Sequence, residues 1–117
     1  MMKKMGLVKG RHSLPVGNYI FDEVEDVLGF LELELQAQEK LLEAFPEFVK
    51  NEITPFYNEV EHTDIYRRNR GDLHLYVTGL SSALVAVMNV CTELGIHLNL
   101  YHYDRERDTY MMQETRI

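Results

Sequence analysis

Residues 72–103, DLHLYVTGLSSALVAVMNVCTELGIHLNLYHY, constrain the fold more than any other part of this chain. Leu73, Leu75 and Val77 alternate with His74, Tyr76 and Thr78, the period of two that sends successive side chains to opposite faces of a strand. Gly79 then permits a sharp turn. Ser81 or Ser82 is suited to cap a following helix by accepting a hydrogen bond from a free N–H in its first turn. The helix expected from Ser82 to Leu94 is apolar nearly all round, as a buried helix is. Gly95 stands where a left-handed C-terminal cap is wanted, and Ile96, Leu98 and Leu100 then alternate with His97, Asn99 and Tyr101 as a second strand. A strand that returns after such a helix runs parallel to the first, through a right-handed crossover. The stretch therefore reads as a β-α-β unit.

The rest of the chain is fitted around that unit. At 117 residues it has room for one domain, 1–117, with a real core. From Asp22 to Phe45 a long amphipathic helix is expected, with Val24, Val27, Leu28, Leu31, Leu35, Leu42 and Phe45 close to one stripe; Leu31, Leu33 and Leu35 would also suit a strand, but the continuation QAQEKLLE favours helix. Asp22 with Glu25 resembles a capping box. The glutamates along this helix suit a solvated face, with a cation site as the sharper alternative. Gly6 to Val8 reads as a short strand, and Pro15 and Gly17 as a loop. Pro46 to Ile53 and Pro55 to His62 read as short helices, the second because Thr54-Pro55 is a helix start signal. Thr63 to Gly71, polar and basic, reads as a loop. Asp104 to Asp108 is a turn, and Thr109 to Arg116 a last strand pairing antiparallel at an edge. The fold expected is α/β, a small mostly parallel sheet with a β-α-β unit, a long N-terminal helix and a C-terminal β-hairpin.

Charge and cysteine usage narrow the function. A formal charge of -7 disfavours a nucleic-acid partner held by net positive charge, while leaving a local basic patch open. One cysteine, Cys91, has no internal disulfide partner and sits in the apolar helix, which suggests a buried thiol in a reducing compartment. No stretch approaches the ~18 apolar residues of a membrane span, and residues 1–10 lack the apolar run of a signal peptide. The cytoplasm is the expected location, with no membrane partner.

The candidate site is positional. In open α/β sheets ligands bind outside the carboxyl ends of the parallel strands, where helix N-termini present free N–H groups. Here that place is Thr78, Gly79, Leu80, Ser81 and Ser82, whose hydroxyls and amides suit a phosphate or carboxylate; a plain helix cap would use the same serines. Tyr101 to Tyr103 should lie beside it, with rings fit to stack on a base. Arg67, Arg68 and Arg70, with Tyr66, form a basic-aromatic cluster that suits phosphates or a solvated loop. Gly10, Arg11 and His12 suit an anion contact or an exposed strand end. His74, His97, His102 and His12 with Glu61 or Asp64 are the material for an acid-base site, but no HxxxH, HxH or CxxC spacing marks a metal centre. His74 and His97 share a sheet face with Tyr76, Asn99 and Tyr101, expected to be partly covered by the long helix or by a second subunit.

Thr78-Gly79-Leu80-Ser81-Ser82-Ala83-Leu84, following a strand, resembles the Thr-Gly-Gly-Thr-Lys-x-Met turn of CRISPR-associated Rossmann-fold sensor domains. Leu80 replaces the second glycine, Ser82 the lysine and Leu84 the methionine, and the likeness covers only these few residues. It implies a dimer that binds a cyclic oligoadenylate.

The leading expectation is thus a cytosolic binding or regulatory module that self-associates and recognises an anionic or nucleotide-like ligand at Thr78, Gly79, Ser81 and Ser82, helped by Arg67 and Arg68. The alternatives are a small histidine-dependent hydrolase or nuclease, and the cyclic oligonucleotide sensor. No cofactor is specified by any motif.

Overall fold

The computed structural model describes residues 2–10, 14–48, 53–58 and 63–117, with 53–58 and 63–68 described by their backbone. The chain forms strands β1 (Met2–Val8) and β2 (Tyr19–Phe21), helix α1 (Phe30–Ala44), strands β3 (Ile53–Asn58), β4 (Thr63–Arg68) and β5 (Gly71–Tyr76), helix α2 (Ser81–Leu94), and strands β6 (Ile96–Asp104) and β7 (Thr109–Glu114). Five strands make one sheet in the order β2-β1-β5-β6-β7. Pairing is parallel from β2 through β6 and antiparallel between β6 and β7. The β-α-β unit is present as expected, with Leu73 beside Leu98 and Leu75 beside Leu100. Gly95 closes α2 at φ 72°, its N–H donating to Cys91 O.

Both helices pack on the leucine face. Leu73, Leu75, Ile96, Leu98 and Leu100 share one core with Leu33, Ala37, Leu41 and Phe45 of the α1 segment and with Ala83, Ala86, Val87, Val90 and Cys91 of α2. Ala37 and Ala83 are wholly buried, and their small side chains let the helix backbones approach their neighbours closely. The expectation that the long helix covers the His74 and Tyr76 face is therefore corrected: α1 lies beside α2 on the opposite face.

The long helix is also shorter and turned differently than its pattern suggests. It begins at Phe30, not Asp22, because Asp26 diverts the chain into a turn: the Leu28 N–H donates to Asp26 Oδ1 at 3.0 Å and the Gly29 N–H to Asp26 O at 3.2 Å. Asp22 caps nothing. With the first eight residues outside the helix, Leu33, Ala37, Leu41 and Phe45 set the inward stripe, and Leu31, Leu35 and Leu42 are exposed.

Two further expectations are overturned. Residues expected as a helix from Pro55 form β3, and the expected loop from Thr63 forms β4, joined as an antiparallel hairpin with Thr54 opposite Arg67 and Ile53 opposite Arg68. Ile53, Thr54, Phe56 and Tyr57, and Thr63, Ile65 and Tyr66 opposite them, are strand formers. A strand with one partner tolerates a proline on its unpaired side. Of the short helix expected over Pro46 to Ile53, residues 46–48 are not helical and 49–52 lie outside the described residues.

Arg70, grouped in the sequence with a phosphate-binding cluster, is a structural clamp. Its Nε donates to Leu94 O at 3.2 Å and its Nη1 to Phe45 O at 3.1 Å, so one guanidinium joins the C-terminal ends of both helices. Phe48 covers it, with the guanidinium carbon 4.2 Å from the ring centre. A cation there complements the negative ends of both helix dipoles. Arg70→Ala is expected to cost about 2–3 kcal/mol, with Arg70→Lys recovering only part of it, because one ammonium lacks the fork that reaches two carbonyls. Chemical denaturation of both variants checks this, and a loss under about 0.5 kcal/mol for the alanine variant would refute the clamp.

Candidate functional site

The strand order reverses between β1 and β5: β1 is followed by β2 on one side, and β5 by β6 on the other. That is the topological switch point at which open α/β sheets bind ligands. Its carboxyl end is formed by Lys9 and Gly10 after β1 and by Val77 to Ser82 after β5. Gly10 adopts φ 83°, a left-handed turn that glycine enters without strain.

The turn into α2 departs from the expected cap. Leu80 occupies the N-cap position and no side-chain hydrogen bond caps the helix, so neither Ser81 nor Ser82 plays the expected role. The turn is shaped instead by the backbone, with the Leu80 N–H donating to Thr78 O at 2.7 Å. A helix opening this way keeps first-turn N–H groups available and a partial positive charge. Thr78 is 2% exposed and its Oγ1 has no hydrogen-bond partner; Ser82 is half-buried, but its Oγ is out of solvent and likewise unpartnered. Gly79 and Ser81 are exposed. Among the described residues these two hydroxyls are the buried side-chain polar atoms left unsatisfied, and such groups normally find partners.

Arg67 and Arg68 sit on β4, opposite Thr54 and Ile53, and only their backbone placement is described. Arg11 and His12 lie outside the described residues. A cleft of about 300 Å³ beside β1 is lined by Lys3, Lys4, Lys9 and Lys40, with Asp22 and Glu43 among them. It is mixed in charge and holds neither unsatisfied hydroxyl, so the turn is the better candidate.

The sheet face away from the helices carries His74 and His97 with Tyr19, Tyr76, Tyr101, Tyr103 and Tyr110. Tyr76 stacks on Tyr101 with ring centres 4.7 Å apart, and Tyr110 meets Tyr76 edge-on at 5.0 Å and Tyr103 at 5.4 Å. Tyr19 crosses Gly6, where a Cβ would stand 2.6 Å from its ring, so a glycine is required beneath it. Burial, then the nearby hydroxyls of Tyr76 and Tyr19, push Tyr110 above the usual phenol range. A hydrogen bond to Asp108 at 2.5 Å raises Tyr103. Tyr19 and Tyr110 come from strands far apart in the chain, and only the sheet order brings them to Tyr76.

The described histidines do not converge. His74 Nδ1 lies 2.7 Å from the Tyr101 hydroxyl. His97 Nδ1 donates to Ile117 O at 2.8 Å, with Glu114 3.5 Å from its other nitrogen. His102 points to the other face, its Nε2 2.8 Å from Gln113 Oε1. His12, Glu61 and the Asp64 side chain lie outside what is described. Among the described residues no group of three or more His, Cys, Asp or Glu is placed to hold a metal ion. Cys91 is buried, which pushes its thiol up to about 12, far from a nucleophile's range. No helix among the described residues is long and apolar enough to cross a membrane.

Comparison of the chain with protein-family models, with curated proteins and with solved structures returned no match.

Because the Thr78 hydroxyl is buried without a partner, Thr78→Val is expected to leave the ligand-free protein as stable or to stabilise it by about 1 kcal/mol. A loss of about 2 kcal/mol or more in urea denaturation would mean that the hydroxyl is satisfied within the fold. Cys91 in turn is expected to resist alkylation at pH 8 until urea unfolds the chain, since native burial keeps it protonated. Rapid labelling of the folded protein would contradict that.

Proposed function

We propose that the protein is a self-associating cytosolic binding or regulatory module that takes an anionic, nucleotide-like ligand at the carboxyl ends of β1 and β5. The observation that carries this reading is the pair of buried, unpartnered hydroxyls, Thr78 Oγ1 and Ser82 Oγ, at the uncapped N-terminus of α2. An anionic oxygen supplies an acceptor for the first-turn amides, and rotation of the Thr78 and Ser82 side chains out of their buried positions brings both hydroxyls to it. Gly79, exposed and with open space where a Cβ would stand, lets a ligand approach the backbone closely.

The nucleotide part of the reading rests on the neighbouring rings. Tyr76 and Tyr101 are the last register pair of β5 with β6, close to the turn, and the Val77 N–H donates to Tyr101 O at 2.9 Å, which ties the two strands together there. Tyr76 is buried in that pair, so the half-buried Tyr101 is the ring left to meet a base, whose π face suits it whatever its identity. Cyclic oligonucleotides, the class implied by the turn's resemblance, belong in the same screen; Arg67 and Arg68, at the end of β4 just before the amino end of β5, stand at the other end of the sheet from this turn and are not part of the proposed site.

The test is a thermal-shift panel of inorganic phosphate, mononucleotides, dinucleotides and cyclic oligoadenylates. A cognate ligand at a hundredfold excess over Kd stabilises by about 2.7 kcal/mol. Thr78→Val combined with Ser82→Ala should weaken that ligand about tenfold without lowering the ligand-free Tm. No stabilisation by any anion, or a hit indifferent to both substitutions, overturns the proposal.

A further inference from the structure

The outer face of α1 combines two properties that a purely solvated helix lacks. Leu28, Leu31, Leu35 and Leu42 are 70%, 73%, 50% and 36% exposed, and Phe30 and Val27 beside them are 59% and 42% exposed. These are six of the twelve exposed large hydrophobics among the described residues, gathered within sixteen positions. Within α1, residues 31, 35, 38 and 42 follow the alternating three-four spacing of a helix-pairing seam, with Gln38 its one polar position, and the exposed Leu28 stands in the Asp26 turn just before the helix. The area they present is on the order of 500 Å², the size of the largest apolar patch of a monomer, which is often a functional surface.

Charge is the second property. Residues 22–43 contain eight of the 19 acidic residues and one of the 12 lysines and arginines, which leaves eleven of each elsewhere. The whole formal charge of -7 therefore resides in this one stretch. Glu32 and Glu39 border the leucine seam on one side and Glu34 on the other, while Glu25 and Asp26 lie at its amino end. The only cation in the stretch, Lys40, lines the cleft toward β1 and β2 instead.

We propose that this seam docks a basic amphipathic helix of a partner protein, whose leucine-like face covers Leu28, Leu31, Leu35 and Leu42 and whose lysines or arginines meet Glu32, Glu34 and Glu39. Charge complementarity selects that occupant. A second copy of this chain would bring the same glutamates against each other along both edges of the seam, which costs stability. The surface lies on the helical layer, away from the tyrosine face, and does not depend on the ligand proposed at Thr78 and Ser82.

The experiment titrates the full chain with a synthetic Leu/Lys peptide of about 18 residues designed as an amphipathic helix. A peptide of identical composition, scrambled to destroy its apolar face, is run beside it. Helix formation in the peptide and the Kd are read at low and high salt. The amphipathic peptide is expected to bind about tenfold more tightly than the scrambled one and to gain helicity. Leu31→Ser with Leu35→Ser should remove that preference while leaving the Tm unchanged, since both residues are exposed. Glu32→Gln, Glu34→Gln and Glu39→Gln together should weaken binding and flatten its salt dependence. Equal binding of the two peptides, or indifference to the leucine substitutions, overturns the proposal. So does a concentration-dependent dimer abolished by Leu31→Ser and Leu35→Ser, which would assign the seam to a second copy.

Discussion

The handedness of two crossovers is the constraint on which the rest of the structure depends. From β2 to β5 by way of α1, and from β5 to β6 by way of α2, the chain moves across the sheet in the same direction. A right-handed connection places its helix on a fixed side of the sheet for a given direction of travel. Both helices must therefore lie on the same face, and they pack against each other there. Their C-terminal ends then meet at the amino end of the sheet. Arg70, immediately before β5, gathers the carbonyls of Phe45 and Leu94 at that point. The opposite end of the sheet receives the N-terminus of α2 beside the switch point, with the Thr78 and Ser82 hydroxyls unpartnered.

A sheet clothed on one face leaves the other to its own side chains. Here it is shielded by tyrosines lying on one another and on Gly6. Tyr76, for all its placement on the uncovered face, is only 8% exposed, because Tyr101 and Tyr110 pack around it. Ring-on-ring contact offsets part of the cost of an open face, and the polar tips of the rings keep it compatible with water. The described histidines, His74, His97 and His102, are each tied to nearby oxygens, and none of them faces another. The structure thus separates three surfaces of different chemistry: an uncapped helix N-terminus at one end, an aromatic face, and an acidic leucine seam on the outer side of α1.

Much of this was legible in the residues. The alternation of Leu73, Leu75, Ile96, Leu98 and Leu100, with Gly79 and Gly95 at the two ends of an apolar helix, leaves little besides a parallel β-α-β unit; its helix formed within a residue of the expected bounds, while the first strand ends at Tyr76, two residues before the expected Thr78. The phase of α1 was not legible, because leucines at 28, 31, 33, 35, 41 and 42 occupy every side of the helix. Which of them face inward depends on where the helix starts, and an Asp26 turn decided that. Thr54-Pro55 was misleading for a related reason: a helix start signal is local, whereas strand pairing across residues 53–68 is not. Arg70 looked equivalent to Arg67 and Arg68 in sequence. Only the arrival of two helix ends from residues 45 and 94 distinguishes it, and nothing local encodes that. The serines marked where α2 begins, but neither caps it, and the burial of the unpartnered Ser82 hydroxyl was not legible in the sequence.

The claim that the turn after β5 is a binding site is tested most directly by amide chemical shifts of the ¹⁵N-labelled full chain during titration with an anion that stabilises it. The account predicts shifts concentrated at the amides of Thr78 to Ala83 and at Gly10, all moving at the same ligand concentration. Shifts confined to the tyrosine face or to the lysine-lined cleft beside β1, with the α2 N-terminus unchanged, would contradict it.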